Sequence, residues 1–310
     1  METIQDIRQR INNTEDLGGI VGTMRALAMT SIRQYEQAVE SLADYNRTTE
    51  MGLQVVLNKA SRQGVSLPQA NEKYLDQLDT GIIVFGSDQG LCGQFNEQIS
   101  SYTLNQLEQR NIPLDKRQYI VVGLRVAGSL DHAGQPIDTI YNIPSSVETI
   151  TPMVQELLLH SQRWRGVIEA QQVGRVLLFY NRMVDSRSES GTTALYRPHM
   201  RQLLPIDPGQ WQTLGEQGWP SRSLPIFTMA WRPLFSALLR QHLFVTLFRA
   251  FAESLASENS ARLLAMQAAE RNIEERLAEL TQTYHQQRQN NITSELLDII
   301  SGFELLSQNK

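Results

Sequence analysis

Two long stretches of helical apolar rhythm, one at each end, constrain this chain more than anything between them. From Met229 to Ser307 the sequence reads as one helix, and Leu263, Met266, Glu270, Ile273, Leu277, Leu280 and Tyr284 recur in a 3-4-3-4 spacing. That spacing marks one buried seam on an α-helix. Glu270 is the only charged member. A second register, Ile292, Leu296, Ile299, Phe303 and Leu306, carries the apolar pattern to the end, and no glycine interrupts it before Gly302. Pro233 suits the first helical turn, where a missing N–H costs nothing. At roughly 1.5 Å per residue, a helix over Leu234 to Leu306 reaches about 110 Å.

The first segment predicts a helix from Thr3 to Asn58, about 84 Å by the same rise. Its apolar positions are Ile4, Ile7 and Ile11, then Leu17, Val21, Met24, Ala28, Ile32, Tyr35, Val39 and Leu42, with one slip of phase. Gly18, Gly19 and Gly22 lie inside it, each costing about 1 kcal/mol against alanine in a helix interior. They mark either a local kink or a close approach by another helix or a partner. Neither seam can stay bare in water. An antiparallel coiled coil of the two ends is the economical solution, with a homodimeric coil as its rival. The unequal lengths leave the C-terminal tip overhanging, with Ile299, Phe303 and Leu306 in need of cover from elsewhere.

The middle of the chain alternates strand and helix signals. Gly81–Phe85, Tyr119–Val122 and Arg175–Tyr180 read as strands. Ala194–Leu204 reads as a fourth, antiparallel to the third across Asp185–Thr192. Gln94–Arg110 and Val147–Arg165 read as helices, the latter capped by Ser145 or Ser146 with Glu148 in its first turn. Pro205–Pro225 reads as a loop that Trp211 and Trp219 pack down. The expected fold class is α/β: a long antiparallel coiled coil of the terminal helices plus a small central α/β domain. By element, residues 1–60 form one coiled-coil helix, 75–225 the central domain and 229–308 the second helix.

Composition excludes several functions. Lys+Arg 28 against Asp+Glu 33 gives a net charge of −5, with no basic footprint for nucleic acid. The base is almost all arginine, whose rigid fork suits fixed contacts with defined partners. Cys92 is the single cysteine, so no intrachain disulfide can form. Five scattered histidines lack zinc spacing. No eighteen-residue apolar run is present, and the polar, acid-bearing start is unlike a signal peptide. A cytoplasmic or equivalent compartment is expected, with membrane attachment only through partners.

Catalytic chemistry is missing too. Gly86-Ser87-Asp88-Gln89-Gly90-Leu91-Cys92-Gly93 is the one glycine-rich strand–helix junction, yet it is neither GxGxxG nor a phosphate loop ending in GK[ST]. Cys92 reads as a small buried filler, and Asp88 as a cap on the following helix. No catalytic, cofactor or metal residues are expected. Three readings remain: a protein that reaches and transmits, a coiled-coil scaffold or tether, and an α/β enzyme whose ligand sits at Gly86–Gly93.

Three stretches carry a family likeness. Ser87-Asp88-Gln89-Gly90-Leu91-Cys92-Gly93-Gln94-Phe95-Asn96 is similar to an SDRGLCG-x-x-N motif. Glu253-Ser254-Leu255-Ala256-Ser257-Glu258 is followed by Ala261-Arg262, Ala265-Met266 and Asn272. Arg288-Gln289 is followed by Ile292-Thr293, Glu295, Asp298 and Gly302. In order and spacing the chain resembles the gamma subunit of F-type ATP synthases, the central rotor shaft. The resemblance implies three alpha and three beta subunits, an epsilon subunit and a membrane c ring as partners, and no cofactor. It implies a shaft whose asymmetric surface drives the beta sites through their states, with catalysis in beta. It implies coupling contacts at Arg288, Gln289, Thr293, Glu295, Met24 and Arg262, and a central-domain motif of Ser87, Asp88, Gly90, Cys92 and Gly93. The expected location is peripheral, on the cytoplasmic face of the plasma membrane, or on the thylakoid if the source is photosynthetic.

The chain departs from the family pattern in three places. Asp16–Met24 stands where a lysine- and threonine-rich run is usual, with Gly19, Gly22 and Ser31 in place of lysines. Phe227-Thr228-Met229 replaces Tyr-Glu-Pro, and Gly302-Phe303 replaces Gly-Ala. These departures resemble the alternate branch of F-type ATPases, often sodium-linked.

Overall fold

The computed structural model describes residues 3–62, 77–164, 173–184, 196–205, 225 and 227–308, with the side chains of 60–62, 162–163 and 301–308 excepted. The expected features at Asp185–Thr192, Trp211, Trp219, Phe303 and Leu306 lie outside that description. The chain separates into two compact units: Met1–Ala28 with Arg262–Lys310, and Met29–Ala261.

The first unit pairs the start of helix α1 (Ile4–Ser41) with the far part of the C-terminal helix, here α6 (Trp231–Gln308). The pairing is antiparallel. A side chain added at Gly18 would meet Ile273, and one added at Gly22 would meet Glu270, so α6 runs backward as α1 advances. Every member of the α6 seam from Leu263 to Tyr284 is at least half-buried, with Met266 and Leu280 fully so. From Ile292 onward the apolar positions lose their cover: Ile292, Leu296, Leu297, Ile299 and Ile300 are all exposed.

The N-terminal seam needs one correction. Leu17, expected inside it, is 50% exposed, while Thr14 and Gly18 are partly covered. The stripe therefore runs Ile7, Ile11, Thr14, Gly18, Val21 without a slip of phase. The slip was apparent because the two continuing positions carry a small polar residue and a glycine, which an apolar count skips. The structure also separates the glycines. α1 passes through all three as unbroken helix. A Cβ added at Gly18 would lie 3.4 Å from Ile273 Cγ2 and one at Gly22 3.7 Å from Glu270 Oε1, ordinary contact with α6, whereas one at Gly19 would meet nothing within 4 Å.

A second difference lies at Leu42. The predicted single helix ends at Ser41 and resumes as α2 (Ala43–Arg62). The Ser41 hydroxyl donates to the carbonyl of Ala38 at 2.9 Å, the back-bonding that competes with regular helix.

The second unit is built on a sheet. Its described strands are β1 (Asp79–Phe85), β2 (Arg117–Val122), β3 (Ile137–Tyr141), β4 (Val173–Met183) and β5 (Tyr196–Leu204), in the order β3-β2-β1-β4-β5. β1 to β4 are parallel and β5 is antiparallel on β4. Helices α3 (Phe95–Gln109), α4 (Leu124–His132) and α5 (Val147–Arg163) connect them. Two core clusters follow the strand alternation. Ile83, Phe85, Leu178 and Tyr180 point to one face, under α5 and the near part of α6. Ile82, Val84, Leu177 and Phe179 point to the other, under α3 and α4. The Phe85 and Phe251 rings stack at 3.9 Å between centroids, fixing α6 on the first face.

The expected strands and helices are present with ends shifted by a few residues. α4 and β3 were not anticipated. Leu124–His132 is short, and β3 alternates half-buried and exposed positions as an outer strand, so neither carries an apolar run.

Candidate functional site: the switch-point loop and the shaft surface

In open α/β sheets ligands sit beyond the carboxyl ends of the strands, where the strand order reverses. Here that point lies between β1 and β4. The loop leaving β1 there is Gly86–Gln94, the glycine-rich stretch. Its geometry closes the loop on itself. The Ser87 N–H donates to Asn96 Oδ1 at 2.9 Å, and Asn96 Nδ2 returns a bond to Ser87 Oγ at 2.8 Å. Ser87 Oγ in turn donates to the Gln89 carbonyl at 2.8 Å. The Gly86 N–H is taken by the carbonyl of Val122. The first two N–H donors of the loop, those of Gly86 and Ser87, are thus engaged within the chain.

The glycines serve packing. A Cβ on Gly86 would lie 2.3 Å from Val126 Cβ, and Gly123 (φ +115°) brings the next loop against the backbone of Ser87. Gly93 and Leu91 both take positive φ, +58° and +63°. Leu91 stands 62% exposed at the loop tip. A Cβ added at Gly90 would lie 3.8 Å from the Arg125 guanidinium.

Asp88 has a different role from the one expected. It does not cap α3, whose first turn receives no side-chain cap. Its Oδ1 accepts the N–H of Leu124 at 2.9 Å and its Oδ2 that of Ile143 at 2.8 Å. One carboxylate thus satisfies an otherwise bare donor at the start of α4 and ties the exit of β3 to the loop. At α5 the start is held through Ser146 main-chain groups and the Thr149 hydroxyl, with Ser146 N donating to Thr149 Oγ1 at 3.1 Å.

Cys92 is 2% exposed, in a cluster with Phe95 and Ala261 and beside Tyr196. Its sulfur lies 3.5 Å from both Ser87 Oγ and Asn96 Nδ2. Ala261 belongs to α6, so the chain's own helix reaches the space where an α/β enzyme would hold a ligand. Ser257 Oγ completes this filling, 3.2 Å from the carbonyl of Asn181 on β4.

The other predicted residues lie along the helices of the first unit. Arg288, Gln289, Thr293 and Glu295 are exposed, in a region where every residue from 288 to 300 is exposed. Met24 and Arg262 are partly buried. Thr293 back-bonds to the Gln289 carbonyl at 2.9 Å. Glu270 pairs with Arg25 of α1, a partner the sequence reading did not assign. The signal was available: Arg25 follows Met24 on the seam side of α1 and is the nearest base to that register.

Among the described residues no group of three or more metal-ligating side chains occurs, and no helix is long and apolar enough to cross a membrane.

The architecture defines a class: one unit is an antiparallel pair of long helices, and the other is an α/β unit whose five-stranded sheet is covered by helices on both faces. The sequence model of a family described as ATP synthase matches residues 3–306. The ATP synthase gamma chain of Nostoc punctiforme is 26% identical over 99% of this chain and 100% of its own length. That of Lawsonia intracellularis is 27% identical with the same coverage. Among solved structures, a chain of the Euglena gracilis mitochondrial ATP synthase in its OSCP/F1/c-ring assembly superposes with a TM-score of 0.63 at 18% identity, covering 98% of this chain and 94% of that one. A chain of the rotor of the same enzyme gives 0.60 at 16% identity, with 93% and 98% covered. The chain belongs to the ATP synthase family, as a gamma chain.

Proposed function

We propose that this chain is the central rotor shaft of an F-type ATP synthase, coupling ion flow through a membrane c ring to ATP synthesis or hydrolysis at beta subunits by rotation. The chain-long family match carries the reading. The structure fits it physically. A transmitting element needs a stiff seam, and Leu263 to Tyr284 provides one. It also needs a surface left for partners, and the exposed run Ile292 to Ile300 is one. Its partners are three alpha and three beta subunits, an epsilon subunit and the c ring. It is part of the peripheral F1 head of a membrane complex; the cytoplasmic face of the plasma membrane, or a thylakoid, is the compartment this reading favours.

Catalysis resides in beta, and the shaft biases the states of each site by differential contact. Moving a site from 1:99 to 99:1 takes about 5.5 kcal/mol. The exposed Arg288 and Gln289, followed by Thr293 and Glu295, are the proposed polar catch on beta, with Met24 and Arg262 lower on the shaft. A guanidinium suits a bidentate bond to a carboxylate there. The lysine-poor stretch Asp16–Met24 supports the alternate branch of these ATPases.

Co-expression with alpha and beta tests the reading. The chain is expected to co-purify with a nucleotide-hydrolysing hexamer and to show no turnover alone. Arg288→Ala in that complex should lower ATP turnover while the free chain stays helical. Failure to associate would leave a scaffold or tether instead.

A further inference from the structure

A polar face of α6 is fastened to the end of β4 in a way that apolar packing does not require. Glu253, Ser257 and Ser260 lie at i, i+4 and i+7, on one side of the helix. Opposite them run Tyr180 to Met183. The buried Tyr180 hydroxyl feels the Glu253 carboxylate, whose negative charge adds to burial in raising its pKa. Arg182 Nε lies 3.9 Å from Glu253 Oε2, and Arg249, one turn back on α6, donates to Oε1 at 2.7 Å. Ser257 Oγ reaches the Asn181 carbonyl at 3.2 Å, and Ser260 Oγ the Met183 sulfur at 3.4 Å, each sharing its proton with its own helix.

Glu253 is 8% exposed. A carboxylate so enclosed is costly, and an apolar residue of similar size commonly packs as well or better. Its presence here therefore points to something other than stability. The contact above it, Leu247, Phe248, Phe251 and Leu255, belongs to the large apolar cluster. Such contact holds the helix down and keeps its apolar side inward, but it supplies no bond of fixed direction. Bonds with fixed direction to a strand oppose turning.

We propose that Glu253, set against Tyr180 and Arg182 and flanked by the Ser257 and Ser260 bonds to β4, is the latch by which the α/β unit grips α6 against twist, so that rotation applied to that unit is delivered to the shaft. Glu253 is a positioning residue; it touches no substrate. The inference rests on the rotor reading.

The test is the transport-to-hydrolysis ratio of the complete complex in sealed vesicles, with proton uptake followed by a pH-sensitive dye and sodium uptake by isotope. Glu253→Ala should keep hydrolysis and lower the ratio roughly threefold or more. Glu253→Gln, whose amide oxygen can still accept from Arg249 and stay against Tyr180 and Arg182, should restore most of it. Tyr180→Phe should lower it about twofold, and its effect should not add to that of Glu253→Ala, since both break the same contact. A merely structural role would lower the melting temperature of the complex and leave the ratio unchanged, which overturns the latch. If Glu253→Ala does not assemble, Tyr180→Phe decides, and an unchanged ratio there overturns the proposal. A parent complex that hydrolyses without transporting either ion, or never forms, removes the rotor reading and the latch with it.

Discussion

Arg25 of α1 and Glu270 of α6 form an ion pair across the antiparallel seam, the one charged break in an otherwise apolar register. Their side chains are 43% and 24% exposed, so water screens the pair and its net worth is about 0–1 kcal/mol. Arg25→Ala should cost no more than that. Glu270→Leu continues the seam with apolar surface and should leave stability equal or higher. Urea denaturation of the purified chain reads both, and a large loss in Glu270→Leu would show that the pair fixes the register of the two helices.

Gly19 offers a second measurement on the same seam. A Cβ there meets nothing within 4 Å. Gly19→Ala should therefore stabilise the free chain by about 0.5–1 kcal/mol, through lower entropy of the unfolded chain and better helix propensity. If the glycine is kept for a partner, the gain disappears in the assembled complex. A gain in both would make Gly19 a plain weakness of the helix.

Legibility followed the physics of each segment. The α6 seam could be read residue by residue, because seven positions at 3-4 spacing leave little freedom. β1, β2 and β4 were legible as apolar runs, since both faces of the sheet are covered. β3 was not: as an outer strand it carries Asp138 and Ile140 exposed among half-buried neighbours, so no run forms. The loop Gly86–Gly93 was found by its glycines, but its role was not. Asp88 reaches Leu124 and Ile143, 36 and 55 residues away, a long-range contact that local sequence does not encode. The break at Leu42 was invisible because its apolar spacing matches that of an unbroken helix.

The crossing of the β1 and β2 loops sets a severe steric test. Gly86→Ala would place a carbon 2.3 Å from Val126 Cβ, the root of a side chain that cannot swing aside, and 2.8 Å from Asn96 Oδ1. Overpacking of this kind costs about 1–3 kcal/mol or more. Gly123→Ala adds a φ of +115° and a 2.8 Å approach to Ser87 N, so it should be at least as harmful. Gly128→Ala, with open space around its position on α4, is the matched control and should be tolerated. Denaturation midpoints of the three variants order them.

Stability should fall as the medium becomes acidic. Burial lowers the pKa of His199, and Arg182, Arg201 and Arg197 lower it further against the opposing pull of Glu253. Burial likewise lowers His242, with Arg201 adding to it and Glu50 opposing. Both rings are held neutral in the folded chain, while the unfolded chain protonates them near the ordinary value of about 6.5. The unfolded state then binds more protons, so stability rises with pH between the folded values and about 6.5, and is lost on descent through that window. The double variant His199→Gln/His242→Gln should flatten the slope of melting temperature against pH there. An unchanged slope would assign the acid sensitivity to carboxylates.

The seam of α6 should transmit in proportion to how well it is buried. Leu280 is 5% exposed and Leu277 only half-buried. Leu280→Ala removes a packed side chain and should cost about 2–4 kcal/mol, while Leu277→Ala should cost nearer 1–2 kcal/mol because water reaches part of it. In the assembled complex the two should rank the same way in transport per ATP hydrolysed, with hydrolysis itself retained, since the beta sites are untouched. A reductant should leave that ratio alone in parent and variants, because Cys92 is the only cysteine and has no intrachain partner for a disulfide. Parallel assays in vesicles read all of this at once. Equal ratios in parent, Leu277→Ala and Leu280→Ala would mean that torque bypasses this seam.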